Sequence, residues 1–430
     1  MSNTQNKYWF GKAPGHWSTV RVKSLFRLAC ESSKDNHGME LLSVYTDIGV
    51  KPRKELEQKG NKASTTDGYW IVRKGDLVVN KLLAWMGAVG YSEYNGVTSP
   101  AYDILRARTT SINPKFYHYL FRLKLTQGEF RRWSKGIMDM RLRLYFSELG
   151  NVFIPCPPLS EQNAIVEFID NETDRIDQLI EKKSQLIEIL QLRFNGEVNE
   201  IISRFPFRKL KTVASVQLSN VDKHIYKDEI SVNVIHYTDV YYNDVVTSHT
   251  QLPKGSVTAY EKQKFSMNGG EVLVTKDSET PDDIAIPVYI ESTKENTVCG
   301  YHIAIIRPNT SKLDGRFLFW GLKTKIVRDY FSLVAQGVTR FGIPIGKISA
   351  CSVPYIPDID VQKKIGLELF AKNSKKNEVS LKIRQSIEDL KQFKESLITE
   401  AITGQLDIQS WKKRGSTDER LDNIEEAMRA

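Results

Sequence analysis

Residues 157–203 read PPLSEQNAIVEFIDNETDRIDQLIEKKSQLIEILQLRFNGEVNEIIS. Ile165, Ile169, Ile176, Leu179, Leu186, Leu190 and Ile201 recur at spacings of three and four or their sums. That pattern is an apolar stripe on one long helix, close to a coiled-coil seam. Ser160 is the candidate N-cap, and Pro157 and Pro158 stop any earlier helix. A helix of about 40 residues spans roughly 60 Å. A rod of that length cannot hide its stripe in a small domain, so it needs an equally long partner. Residues 360–403, DVQKKIGLELFAKNSKKNEVSLKIRQSIEDLKQFKESLITEAIT, supply one. Ile365, Leu369, Ile383, Ile387, Leu390, Leu397 and Ala401 repeat the stripe, with Asp360 as candidate N-cap and Gly404 as C-terminal stop. The two helices begin 200 residues apart, Gln162 matching Gln362 and Ile165 matching Ile365.

Outward from the helices the rest of the chain repeats as well. GDLVVNK at 75–81 answers GEVLVTK at 270–276, each a turn followed by a strand and a lysine. Arg106 matches Arg307, Gly136 matches Gly337, and Ile154-Pro155 matches Val353-Pro354. Asn113 and Asp314 each open a short amphipathic helix as a cap. The offset stays between 195 and 201 residues throughout. The repeating unit is a globular part of about 150 residues followed by a long helix. Short β runs mixed with one or two helices make each globular part α+β. The expected boundaries are 1–156 for a first domain, 157–203 for the central helix, 204–356 for a second domain, 357–408 for the C-terminal helix and 409–430 for a polar tail with a short helix near 417–428. An antiparallel helix pair relates the halves by a pseudo-twofold axis and sets the domains at opposite ends of a rod. A parallel pair brings both domains to one end, and the stripe alone fits either.

The 430 residues are 40% hydrophobic and 26% charged, ordinary for a globular protein. No apolar run is long enough to span a membrane, and MSNTQNKYWFGK has no signal-peptide core. Cys30, Cys156, Cys299 and Cys351 lie far apart with no CxxC pair, so a structural zinc is not expected and reduced thiols are. A net charge of +9 makes nucleic acid the first partner to consider, although many basic proteins bind none.

VVNKLLAWMGAVG (78–90), TSPAYDILR (98–106), PPLSEQNAIVEFID (157–170), EVLVTKDSETPDD (271–283) and SLITEAITGQLDI (396–408) carry a family resemblance over nearly the whole chain. The chain resembles the specificity subunit of Type I restriction–modification enzymes. Two departures stand out. GEVNEIISRF ends the central helix without the SLITEAITG wording, and its Gly196 should cost about 1 kcal/mol against Ala and favour fraying or a bend. PDIDVQ replaces PPLSEQ at the start of the second helix. The resemblance implies a reader rather than a catalyst. Two target-recognition domains would each read one half of a split, asymmetric DNA site, and two long helices, packed as an antiparallel coiled coil, would fix the gap between the halves. It further implies two adenine methyltransferase subunits docked around the helices, two motor–nuclease subunits for restriction, and a bacterial or archaeal cytoplasm close to the nucleoid. S-adenosylmethionine, ATP and magnesium are expected on those partners, with no cofactor or metal in this chain.

Base reading needs paired donors and acceptors for base edges and cations for phosphates. In the first domain Lys81, Trp85 and Met86 follow the GDLVVNK strand. RRWSKGIMDMRLR at 131–143 brings Arg131, Arg132, Lys135, Arg141 and Arg143 against the single carboxylate Asp139. The second domain offers Lys276, Asp277, Ser278 and Glu279, then Gln336, Thr339, Arg340 and Phe341. Gly136 and Gly337 would let backbone approach a phosphate. Each has a plainer reading. Trp85 fits a core position, Lys81 and Lys276 fit solvated strand ends, and the arginine cluster fits a solvated face. Thr339 and Arg340 fit a closed turn, and Glu279 a loop cap.

Catalytic signatures are missing from the sequence. Pro157-Pro158-Leu159 lacks the polar lead and the aromatic of a methyltransferase NPPY-like loop, and there is no GxxxxGK[ST] phosphate loop. Asp282 and Asp283 make no convincing nuclease cluster, and the seven histidines include no HExxH. The competing readings are a coiled-coil interaction scaffold, a specificity subunit of a related enzyme that cuts beside its site, and a fused methylase–nuclease.

Overall fold

The computed structural model describes residues 8–11, 13–33, 39–55, 68–408 and 411. The expected tail lies outside them except for Trp411. The chain is α+β and divides into two compact units. One joins residues 1–183 to 384–430, and the other is residues 184–383.

In the first unit four antiparallel strands run in the order Phe26–Leu28, Tyr102–Ala107, Leu77–Asn80, Val89–Tyr91. Alternation along Leu77–Asn80 sends Leu77 and Val79 to one face and Val78 to the other. Both faces are covered, which is why Leu77-Val78-Val79 is apolar without a break. Leu77, Val79 and Leu105 meet Phe26, Phe116, Tyr117 and Phe121. Val78 and Ile104 meet Leu42, Val44, Val50 and Val72. The Asn113 side chain accepts from Lys115 N at 2.9 Å and so caps helix Pro114–Arg122, as its position in the sequence suggests. The matched Arg106 is structural. Its guanidinium grips both oxygens of the buried Asp76 at 2.8 Å and reaches Glu31 as well.

The second unit repeats this plan. Strands Ala214–Leu218, Ile303–Pro308, Val272–Thr275 and Pro287–Ile290 stand in the same order, with Val245–Val246 added at the edge. Val272 and Val274 enter one core and Leu273 another. Arg307 bonds Glu271 at 2.7 Å and Gln217 at 2.6 Å. Asp314 caps helix Gly315–Leu322 by accepting from Arg316 N and Phe317 N.

The long helices are Leu159–Ser203 and Ile359–Ile402. In the first unit the opening turns of the central helix, through Ile165, Phe168, Ile169 and Ile176, share a core with Leu390, Leu397 and Ala401 from the end of the other. Lys394 donates to Asp177 at 2.5 Å. In the second unit Lys376 donates to Gln191 at 2.6 Å, and Lys372 pairs with Glu197. Positions rising on one helix meet positions falling on the other, so the pair is antiparallel there. Leu186 departs from its expected place in the seam, being 45% exposed, and Ile189 and Leu192 nearby are more exposed still.

The caps differ from expectation. Glu161 N and Gln162 N already donate to the Pro158 carbonyl, which places Ser160 inside the first turn and not at its cap. On the second helix Asp358, not Asp360, accepts from Asp360 N at 2.9 Å and Val361 N at 3.2 Å. A cap must precede the first helical residue, and Asp360 is already the second. The C-terminal stop is where the glycine sets it. Gly404 has φ +71, its N–H reaches Ala401 O, and Gln405 N reaches Glu400 O. Those two bonds form a Schellman motif. The central helix runs unbroken through Gly196.

Gln162 and Gln362 are both fully buried. Gln162 accepts from Asn113 N and donates to Pro157 O, each at 2.8 Å. Gln362 accepts from Asp314 N at 2.8 Å and donates to Ile356 O and Lys312 O. In each unit one amide thus fastens the long helix to the capping residue of the short one.

Candidate nucleic-acid interface

Each unit carries a small antiparallel platform built to one pattern. In the first, the Lys81 carbonyl accepts from Leu144 N at 2.9 Å, and Lys135 and Arg143 exchange both backbone bonds at 2.9 Å. Buried Leu144 anchors the platform in the core, and the loop between Lys135 and Arg143 projects from it. In the second, the Lys276 carbonyl accepts from Ile343 N at 3.0 Å. Strand Asp277–Ser278 pairs with Phe341–Gly342, which pairs with Gln336–Gly337. Buried Ile343 is the anchor there.

Gly136 and Gly337 sit at φ +151 and +148 where these loops turn. A Cβ would meet the Arg141 carbonyl at 2.5 Å in one and the Arg340 carbonyl at 2.0 Å in the other. The glycines are therefore required by the loops' own closure.

The first platform gathers Arg131, Lys135, Arg141 and Arg143 around its loop, and two of the four, Arg131 and Lys135, are held in ion pairs. Arg131 pairs with Asp139 at 2.7 Å and lies over the Trp85 ring at 5.3 Å. Trp85 is half-buried against the core, with its ring N–H on the Leu82 carbonyl. Arg132 is tied to Glu129, one helical turn back. Lys135 bonds Glu148, and that bond holds the Glu148 carboxyl below its usual range. Lys81 turns inward to the Pro100 carbonyl at 2.8 Å and to Asp103 at 3.5 Å. Burial raises the Asp103 carboxyl even so. Arg141 is exposed, and its side chain makes no ion pair among the described residues. Among the described residues the Arg143 side chain bonds the Leu142 carbonyl, at 3.3 Å, and makes no ion pair.

The second platform brings the strands and loops that carry Lys276, Ser278, Glu279, Gln336, Thr339 and Arg340 to one place. Lys276 is paired with Asp277 at 2.9 Å, and Asp277 also holds His302. Tyr237 donates to the Asp277 carbonyl at 3.0 Å. This support, buried Asp277 with half-buried Tyr237 and His302, escaped the sequence reading. Asp277 beside Lys276 was its one visible sign, since Tyr237 arrives at the start of helix Tyr237–Tyr242 and His302 in the turn before strand Ile303–Pro308. Ser278 lies half-buried, while Glu279, Gln336, Thr339 and Arg340 are exposed. Among the described residues no group of His, Cys, Asp and Glu could hold a metal ion, and no helix is long and apolar enough to cross a membrane.

The family model of the Type I restriction modification DNA specificity domain matches residues 14–189, from the first unit's opening strand into the central helix. Residues 14–189 are thus similar to the DNA specificity domain of the Type I restriction–modification family. Subunits of this family are the non-catalytic members of Type I complexes. Two solved structures share the fold. A chain from a structure described as the basis of complex assembly and conformational transition of the type I R–M system aligns with TM-score 0.71 at 13% identity, covering 92% of this chain and 100% of that one. The HsdS subunit from Thermoanaerobacter tengcongensis aligns with TM-score 0.52 at 13% identity, covering 92% and 98%. No curated protein matches the chain.

Proposed function

We propose that this chain is the DNA reader of a Type I restriction–modification complex, each unit recognising one half of a bipartite, asymmetric duplex site. The observation that carries the reading is the platform repeated in both units, with one architecture and different side chains. A shared backbone would present the same surface to duplex DNA, and divergent loops would read different bases. Arg141 and Arg143 in one unit, and Thr339, Arg340, Gln336 and Glu279 in the other, are the groups free to reach a base edge or a phosphate. Lys81, Lys276, Arg131, Arg132 and Lys135, engaged within the fold, act as supports or exchange partners on binding. The long helices set the unread spacer and dock two adenine methyltransferase subunits, for which the exposed Leu186, Ile189 and Leu192 offer apolar contacts. Two motor–nuclease subunits complete the restricting assembly. S-adenosylmethionine, ATP and magnesium belong to those partners, and the bacterial or archaeal cytoplasm is the setting.

The test is a map of methylated adenines in the host genome, with wild-type protein and with Arg340→Ala. A bipartite motif is expected. The substitution should relax bases in one half only, by about 1–3 kcal/mol of discrimination at a base pair read by that arginine. Equal loss across both halves would make Arg340 a phosphate contact, and absence of any split motif would remove the reading.

A further inference from the structure

We propose that Ile137 and Val338 are apolar wedges that enter the base stack, one in each half of the recognised site. This rests on the DNA-reading function proposed above. Each residue directly follows the glycine that closes its platform loop, at the same offset of 201 residues as the glycines themselves. Ile137 is 98% exposed and Val338 is 91% exposed. A single exposed aliphatic side chain is ordinary on a protein surface. Here it recurs at the equivalent tip of two loops whose other residues, KGIMDMR and QGVTRFG, have diverged.

The backbone beneath each tip is fixed by the paired strands and by a glycine that tolerates no Cβ. Both side chains are β-branched and stiff at χ1, so they have little rotamer freedom to lose on contact. Neither can bond a base edge. Against a duplex they can do two things: touch a thymine methyl group, or slide between adjacent base pairs and unstack them. A methyl contact would demand thymine at the same place in both halves of an asymmetric site. A wedge works at any sequence, with preference for easily unstacked steps. The exposed Arg141 and Arg340 lie within the same loops, placed to hold the phosphates flanking an opened step. Opening a step also lowers the cost of extruding a neighbouring base, which a methyltransferase acting on duplex DNA requires.

The experiment uses the complex of this chain with its methyltransferase partners. The duplexes carry its site with 2-aminopurine at successive positions other than the methylated adenines. Fluorescence should rise severalfold at one step in each half. Ile137→Ser should abolish the rise only in the half read by the first unit, and Val338→Ser only in the other. Melting temperatures should not change, because both side chains are outside the core. A complex that footprints on its site while no step brightens overturns the wedge and leaves the reading function standing. So does a uracil-for-thymine duplex that loses as much affinity as Ile137→Ser does, since that identifies a methyl contact. A complex with no sequence-selective footprint overturns both.

Discussion

Gln162 joins helix to domain with two hydrogen bonds and no access to water. Removing its side chain orphans the Asn113 N–H and the Pro157 carbonyl inside the fold. Gln162→Ala should therefore destabilise the first unit by about 1–3 kcal/mol, read as a lower denaturant midpoint, with the second unit's midpoint unchanged. His118 gives a pH dependence. Its Nδ1 accepts from Tyr91 N at 3.1 Å. Burial, followed by the charges of Arg122 and Lys115, lowers its pKa from 6.5 to about 3. Between those values the unfolded chain binds a proton that the folded chain refuses, so stability falls as pH drops through that window. Thermal melts at about pH 7 and about pH 5 should show the loss, and His118→Gln should reduce it. At this scale the sequence named the matched glutamines but not what they bond. It offered Lys81 as a DNA contact or a solvated strand end, without its inward partners. The Pro100 carbonyl, in the turn before strand Tyr102–Ala107, and Asp103 within that strand turn it inward, and no local pattern reveals them.

The long helices illustrate how elements were read. Periodicity located both within a few residues, because 44 or 45 residues of one repeat outweigh any local irregularity. Their caps were misread by one or two positions, since Asp358 and Asp360 are equally good capping residues until the first turn is seen. Gly196 was expected to fray or bend the central helix, yet the helix is continuous there. A Cβ at that position would meet nothing within 4 Å. Gly196→Ala should accordingly stabilise the protein by about 1 kcal/mol, measured as a raised thermal midpoint. A drop would mean that the position is covered in solution. The platform loops were located through their glycines and arginines. Their exposed aliphatic tips passed unnoticed, because an isoleucine or valine between polar residues ordinarily signals a strand.

For the molecule as a whole, the proposed spacer function predicts a length dependence. Because the helices run antiparallel, a cut in one must be matched in the other. Removing four residues from each, around positions 183 and 383, withdraws about 6 Å of rise, or roughly two base pairs at about 3.4 Å each. Methylation mapping should then recover both half-sites unchanged around a shorter gap. Unchanged spacing with altered half-sites would end the ruler idea. The doubling of the fold was legible from an offset that barely drifts. The division of the chain was not, because the compact units split each helix near its middle, where no glycine, proline or change of composition marks the place.

That division fixes an order of events during synthesis. Residues 184–383 are contiguous, whereas the first unit needs Leu390, Leu397 and Ala401 to cover Ile165, Ile169 and Ile176. Chains made of successive domains usually mature from the N-terminus as the ribosome releases them. Here the module begun first must wait for residues made after the whole of the other unit, so its greasy helix face stays bare until Leu390, Leu397 and Ala401 have emerged. A premature stop near residue 384 would strand the opening module half-built while leaving every residue of the later one in place.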